Sequence, residues 1–178
     1  MKKSVFISAD HGLAVVYFLQ SAVIKTLIEN GVEVVVLTDG ALVEKIEERF
    51  GQLGLIIEDL RQDQAQKYQD THKASIQWWV SFFRRAGASN KINLEAATSY
   101  VSQVKVESTG RRKTIFPVMR FLLIFFRISK WVRQTLVRYQ NNFTPTIYQD
   151  LFEKYQPEMV IASTPGWRLD KYLLREAA

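Results

Sequence analysis

The sequence predicts an α/β protein with a Rossmann-like parallel sheet and flanking helices. Short runs of β-branched and aromatic residues alternate with helical patterns over residues 4–58, and short loops join them, which is typical of parallel βαβ units. A fourth apolar run lies at residues 158–162, and the long connection before it contains only helical patterns. We therefore expect a single Rossmann-like domain over residues 1–178, with a helical basic insertion at 61–143 between strands 3 and 4.

The first third of the chain divides into three strands and two helices. The predicted strands are SVFIS at residues 4–8, VEVVVL at 32–37 and GLIIE at 54–58. Apolar residues recur with helical spacing over residues 13–30, and Gly31 is a suitable C-cap for that helix. Residues 41–50 predict a charged, exposed helix that ends at a glycine.

The remainder of the chain is mostly helical. The predicted helices of the insertion cover residues 62–86, 91–107 and 115–139. Thr144 before Pro145 predicts the start of another helix, because Thr is a good N-cap and Pro suits the first helical position. The fourth strand, EMVIA, follows, and a last helix begins at Trp167. That helix has no cap before Ala178, so we expect the natural chain to continue past this residue.

Composition narrows the classes of protein and of site. The chain has 178 residues, 47% of them apolar, which predicts a folded protein with a sizeable core. The absence of Cys excludes disulfides and thiolate chemistry, and two His make a His-rich metal centre untenable, so we expect neither metal nor cofactor. No apolar run approaches the roughly 20 residues that span a bilayer. We expect a cytoplasmic protein, with peripheral attachment to the inner face of the membrane as an option.

Positive charge is concentrated in the middle of the chain. The formal net charge is +6, but residues 1–70 carry −4, residues 71–140 carry +11 and residues 141–178 carry −1. An anionic partner would therefore contact the insertion. We do not expect nucleic acid, because the chain shows neither a recognition-helix motif nor a strand platform of aromatic and basic residues.

Three loops should meet at the carboxyl edge of the sheet, where open parallel sheets bind ligands. The first contains Asp10, His11 and Gly12, the second Asp39, and the third comprises Ser163, Thr164 and Gly166. A His beside an Asp could act as a general base, and a glycine at a helix N-terminus lets a ligand approach the backbone. Asp10 could equally well cap the first helix while His11 stays solvated, and the third loop could be an ordinary turn.

The stretch from residue 114 to 138 is both apolar and basic. On one continuous helix five of its polar residues fall within an arc of about 80° at 3.6 residues per turn: Arg120, Arg127, Lys130, Gln134 and Arg138. A second segment also combines aromatic and basic residues, since Trp78 and Trp79 are followed by two Phe and two Arg. Such helices suit an anionic membrane surface, and they equally suit a core helix whose Arg side chains reach out to solvent.

Two regions carry a resemblance to a known family. The opening strand, the helix containing Ser21 and Leu27 that ends at Asn30 and Gly31, and then VEVVVLT resemble the N-terminal half of GT-B glycosyltransferases. KYQPEMVIAST at residues 154–164 resembles a later strand of that half, and the segment after Gly166 is similar to enzymes of bacterial surface-carbohydrate and lipid-linked glycan synthesis. The resemblance covers residues 4–59 and 144–178.

The resemblance implies the acceptor-binding half of a glycosyltransferase. His11 would occupy the position of the catalytic base in inverting members, although the usual Gly-His order is Asp-His-Gly here. Asp10 would orient it, and Gly12, Asp39, Ser163, Thr164 and Gly166 would line the cleft for a glycan or lipid-linked acceptor. The nucleotide-sugar donor would be bound by a C-terminal half or a partner subunit. Two other interpretations remain open: a non-catalytic peripheral membrane scaffold, and half of a non-hydrolysing nucleotide-sugar epimerase.

Overall fold

The computed structural model describes residues 3–87, 95–162 and 168–178. The chain forms two compact units, one made of Met1–Thr71 with Thr144–Ala178 and the other of His72–Phe143. We call them the sheet unit and the helical unit. The helical unit starts at His72 rather than at residue 61, because the helix before it packs on the sheet through the buried Ala65.

The sheet unit contains four parallel strands: β1 (Ser4–Ala9), β2 (Glu33–Thr38), β3 (Ile56–Asp59) and β4 (Met159–Ala162). Their order across the sheet is β3-β2-β1-β4. Ile7 in the middle of β1 pairs with Val36 on one side and Ile161 on the other. The fold is therefore α/β, with a four-stranded parallel sheet flanked by helices, and it is consistent with the predicted Rossmann-like class.

The described helices are, in chain order, α1 (Gly12–Leu19), α2 (Ala22–Glu29), α3 (Val43–Phe50), α4 (Gln62–Thr71), α5 (Ala74–Ala86), α6 (Glu95–Glu107), α7 (Gly110–Ile128), α8 (Lys130–Asn141), α9 (Gln149–Tyr155) and α10 (Lys171–Glu176). Short 3-10 helices over Gly40–Leu42 and Gly51–Leu53 flank α3. Gly31 has φ +76°, so it ends α2 in the left-handed conformation that its predicted role requires.

The core of the sheet unit has two layers, because alternate strand residues point to opposite faces. On one face Val5, Ile7 and Ala9 of β1 pack with α1, α2 and α3. On the other face the fully buried Phe6 packs with residues of α4, α9 and α10, including Tyr172. Helices thus cover both faces, which explains why the strands are apolar runs rather than alternating patterns.

Two helices that the sequence predicted as continuous are each divided into two by a serine, so the prediction of continuity was wrong. The helix predicted over residues 13–30 is α1 and α2, because the Ser21 hydroxyl accepts from the Val23 amide at 3.3 Å and starts a new helix. The helix predicted over 115–139 is α7 and α8, with Ser129 capping the Val132 amide at 3.3 Å. The arc of basic residues assumed one helix, so it does not hold across Ser129.

Other predicted helix bounds also change. The pattern over residues 62–86 is α4 and α5, separated at Lys73, which has φ +50°. The helix predicted from Thr144 begins at Gln149, because the Glu176 carboxylate accepts from the amides of Ile147 and Tyr148 at 2.8 Å each. Residues 91–94 and Trp167, where two other helices were predicted to begin, lie outside the described residues.

The helical unit has its own core, in which α5, α6 and α7 meet. Phe82, Val101, Phe116 and Leu123 are buried in it, and Phe83 stacks on Phe126 with ring centroids 4.6 Å apart. Among the described residues, no single helix is long and apolar enough to cross a membrane. Taken together, α1 and α2 have the length and apolar composition of a membrane-spanning segment, but the chain bends by 47° between them.

Candidate functional site

The carboxyl ends of β1 and β2 place polar residues along one edge of the sheet. β1 ends at Ala9, so Asp10 and His11 lie between this strand and the first residue of α1. Asp39 follows β2 in the same way. The two loops are neighbours because β1 and β2 are paired in parallel, and the Thr38 hydroxyl donates to the Ala9 carbonyl at 3.2 Å.

Asp10 and His11 form a hydrogen-bonded pair. The Nδ1 atom of His11 lies 2.6 Å from Oδ1 of Asp10. The Asp10 side chain is only 3% exposed, whereas the His11 side chain is 25% exposed. The buried carboxylate therefore holds the ring, and the ring meets solvent. His11 is the N-cap residue of α1, yet its side chain makes no capping bond to the described residues of that helix.

The hydrogen bond selects a tautomer of His11. An ionised carboxylate can only accept hydrogen bonds, so Nδ1 must donate to Asp10. In the neutral imidazole the other ring nitrogen, Nε2, then carries the lone pair. Nε2 can take a proton from a ligand. The arrangement is chemically an imidazole oriented by a carboxylate, and such an imidazole can act as a general base.

Two residues that sequence analysis missed also contact Asp10. Arg168 Nε lies 3.6 Å from the Oδ2 atom of Asp10, and the Gln62 side chain donates to the Asp10 backbone carbonyl at 3.2 Å. Both fix the loop between β1 and α1. Gln62 is 52 residues away in sequence, so neither spacing nor pattern could have indicated this contact.

The glycine of this loop leaves open space. A methyl group added to Gly12 would meet no described atom within 4 Å. Asp39 is engaged locally, because its Oδ1 accepts from the Ala41 amide at 2.9 Å and caps the short 3-10 helix. Ser163, Thr164 and Gly166, the remaining predicted site residues at this edge, lie outside the described residues.

The predicted membrane-contact residues all belong to the helical unit, and they differ in exposure. Trp78 and Trp79 are half-buried against its core, where Trp78 stacks on Phe82 and Arg112 lies 4.5 Å from the Trp78 ring. Arg127 is half-buried and donates to the Ala86 carbonyl at 3.1 Å. The exposed ones are Arg120, Lys130 and Arg138.

No group of three or more His, Asp or Glu able to hold a metal ion occurs among the residues that the structure describes. Comparison with known proteins adds no relative. No family model matches the chain, and no curated protein and no solved structure is significantly similar to it.

Proposed function

We propose that the chain is the acceptor-binding half of a glycosyltransferase and that Asp10 and His11 are its general-base pair. One observation carries this proposal: the 2.6 Å bond between a buried carboxylate and a partly exposed imidazole at the carboxyl edge of a parallel sheet. Ligands of open α/β sheets bind at that edge. A base there can activate a hydroxyl group, which is the nucleophile of a sugar acceptor.

The proposed reaction follows from the tautomer. Nε2 of His11 takes the proton of an acceptor hydroxyl as its oxygen attacks the anomeric carbon of a nucleotide sugar. The bond between that carbon and the diphosphate oxygen breaks, and the nucleoside diphosphate leaves with the bonding electron pair. Asp10 keeps the ring oriented through its bond to Nδ1 while the proton moves. The donor is bound by a second half or by a partner subunit.

The acceptor would approach over Gly12, where the first residue of α1 leaves open space. The acceptor is a glycan or a lipid-linked glycan in this proposal, as the resemblance implies. Product would be surface polysaccharide or a precursor of it.

Sugar transfer is measured with the natural assembly, purified through a tag on this chain and supplied with radiolabelled nucleotide sugars and membrane extract. His11→Ala should lower the turnover number by about 10²- to 10⁴-fold, the usual contribution of a general base. His72→Ala is the matched control, because His72 is the second of the two His in the chain and belongs to the helical unit. Equal turnover in the two variants would refute the assignment of the base, and no transfer by the wild-type assembly would refute glycosyl transfer.

A further inference from the structure

The longest of the described helices, α7, has an apolar face that the described residues of the helical unit leave exposed. Val118, Phe121, Phe125 and Ile128 of α7 are 53–69% exposed. Their spacing of three, four and three residues places them on one side of the helix. Phe116 and Leu123, on the side that faces the core, are only 3% exposed. We call the four exposed residues the α7 stripe.

Large exposed apolar side chains continue beside the stripe. Ile124, in the same helix, is 49% exposed, and Trp131, near the start of α8, is 72% exposed. Isolated exposed apolar residues are ordinary, but several on one helix face mark a contact surface. Aromatic side chains are prominent here, and they favour the boundary between water and lipid.

The charged residues of α7 and α8 all have one sign. Between Glu107 and Asp150 the sequence contains no acidic residue and eight basic ones: Arg111, Arg112, Lys113, Arg120, Arg127, Lys130, Arg133 and Arg138. At about 100° per residue, Lys113 and Arg120 share one flank of the stripe. An anionic surface would be attracted to this helix, whereas a neutral apolar partner would gain nothing from these charges.

A groove brings charge and apolar surface together. It lies between α6 and α7, has a volume of about 480 Å³, and is lined by Phe121 and Ile124 as well as by Lys105 and Arg120. An anionic headgroup could lie beside the two cations while its acyl chains contact the aromatic side chains. The groove thus adds a place for a headgroup next to the stripe.

We infer that the α7 stripe is a docking surface for an anionic lipid bilayer, on which α7 lies in the plane of the membrane. The exposed apolar face enters the boundary region, and Lys113, Arg120 and Lys105 contact the headgroups. This inference is independent of the proposed function, since it rests on the helical unit alone. It requires both apolar insertion and charge attraction.

Vesicle flotation of the full chain tests the inference. Vesicles of phosphatidylcholine are compared with vesicles that also contain about 30 mol% phosphatidylglycerol, an anionic lipid. Lys113→Glu with Arg120→Glu removes the charge flank, and Phe121→Ser with Phe125→Ser removes the centre of the stripe. All four side chains are exposed, so these variants should fold, which circular dichroism checks.

Two control variants make the same kinds of substitution, each at a single exposed position away from the stripe. Lys45→Glu reverses an exposed charge in the sheet unit, and Val106→Ser removes an apolar side chain that is 85% exposed but lies on α6. Each basic residue near an anionic surface should change the partition coefficient about fivefold, so the double charge reversal should reduce it by at least 25-fold. The double serine variant should lose binding similarly, and the controls should bind like the wild type.

The inference is wrong if neutral and anionic vesicles bind the chain equally, or if the double variants float with anionic vesicles as the controls do. It is also wrong if the stripe drives self-association without lipid in size-exclusion chromatography, because the occupant would then be a second copy of the chain. Raising the salt concentration should weaken binding to the anionic vesicles, since salt screens the charge contribution.

Discussion

Arg61 and Asp150 form a two-pronged ion pair that joins the end of β3 to the start of α9. The two guanidinium nitrogens lie 2.6 and 2.5 Å from the two carboxylate oxygens. Arg61 has φ +52°, a conformation that favours glycine, and its amide donates to the Asp59 carboxylate at 2.7 Å. The ion pair therefore helps hold a strained residue at the carboxyl edge of the sheet.

Removing this ion pair should destabilise the sheet unit. Arg61→Ala is expected to lower the free energy of unfolding by about 1–2 kcal/mol. Exposure to solvent weakens an ion pair, but two parallel hydrogen bonds between guanidinium and carboxylate make this one stronger than a typical surface pair. Urea unfolding of the two single variants and the double variant with Asp150→Ala measures the coupling. Glu153→Gln, an exposed change on the same helix, is the control. A coupling energy of zero would contradict the prediction.

The contribution of the Arg61–Asp150 ion pair to the free energy of unfolding should be lost in acid. The Arg61 guanidinium holds the pKa of the Asp150 carboxyl below its ordinary value. The stabilisation is therefore present above the unfolded pKa, about 4, and is lost as the pH falls through the lower folded pKa. Asp150→Asn should remove this part of the acid dependence in urea unfolding from pH 6 to pH 2. An unchanged profile would show that the pair contributes nothing to it.

Tyr148 should contribute through its hydroxyl group as well as its ring. The ring is fully buried, and the hydroxyl donates to the Leu60 carbonyl at 2.8 Å. Tyr148→Phe is expected to lower the free energy of unfolding by about 1–2 kcal/mol, because the carbonyl loses its donor inside the core. Thermal and urea unfolding measure this change. Tyr17→Phe, at a ring that is 67% exposed, should be neutral.

Two glycines should respond differently to substitution by alanine. A methyl group at Gly87 would lie 2.4 Å from the Phe83 carbonyl oxygen and 2.8 Å from Phe126, whereas one at Gly12 would meet open space. Gly87→Ala should therefore destabilise the chain by about 1–3 kcal/mol, and Gly12→Ala should change stability by less than about 0.5 kcal/mol. If Gly12→Ala keeps stability and full sugar transfer, the acceptor does not approach at Gly12.

Lys171 should oppose folding while it is charged. Burial, aided by the nearby Arg175 charge, lowers the pKa of Lys171 to about 8. The unfolded chain then binds the extra proton between about pH 8 and pH 10.4, so stability rises with pH across that window. Lys171→Met should stabilise the chain by about 1–2 kcal/mol at pH 7, and this advantage should shrink by pH 10.

Urea unfolding at both pH values measures the Lys171 prediction. Lys67→Met, at an exposed position of α4, shows the effect of removing a solvated lysine. The Lys171 side chain donates to the Gln69 side chain, and Lys171→Met also removes that bond. Destabilisation at both pH values would mean that the hydrogen bond outweighs the cost of burying the charge.

Sequence patterns predicted the strands well and the ends of helices less well. The run VEVVVL is apolar on both sides because helices cover both faces of β2, so the strand was evident. Ser21 and Ser129 interrupt helical patterns whose apolar spacing continues across them. A serine inside such a pattern can be a cap or an ordinary helical residue, and only the packing of the next helix decides.

The candidate site was predictable only where its residues adjoin. Asp10 and His11 are consecutive after a strand, so the sequence indicated that they lie together, but it left open whether Asp10 caps the first helix or bonds to His11. Their contacts with Arg168 and Gln62 depend on how distant elements pack. The α7 stripe shows the same limit, since the sequence shows apolar residues on both sides of the helix and cannot show which side is covered.

The order of the strands also affects how the chain folds while it is being synthesised. β1 lies inside the sheet, and its partner β2 is synthesised soon after it, but β4 follows the whole helical unit. At roughly 5–20 residues per second, one edge of β1 stays unpaired on the ribosome for on the order of ten seconds. An unpaired apolar edge invites aggregation. The yield of folded protein in a cell should therefore depend on chaperones that shield this edge until β4 arrives.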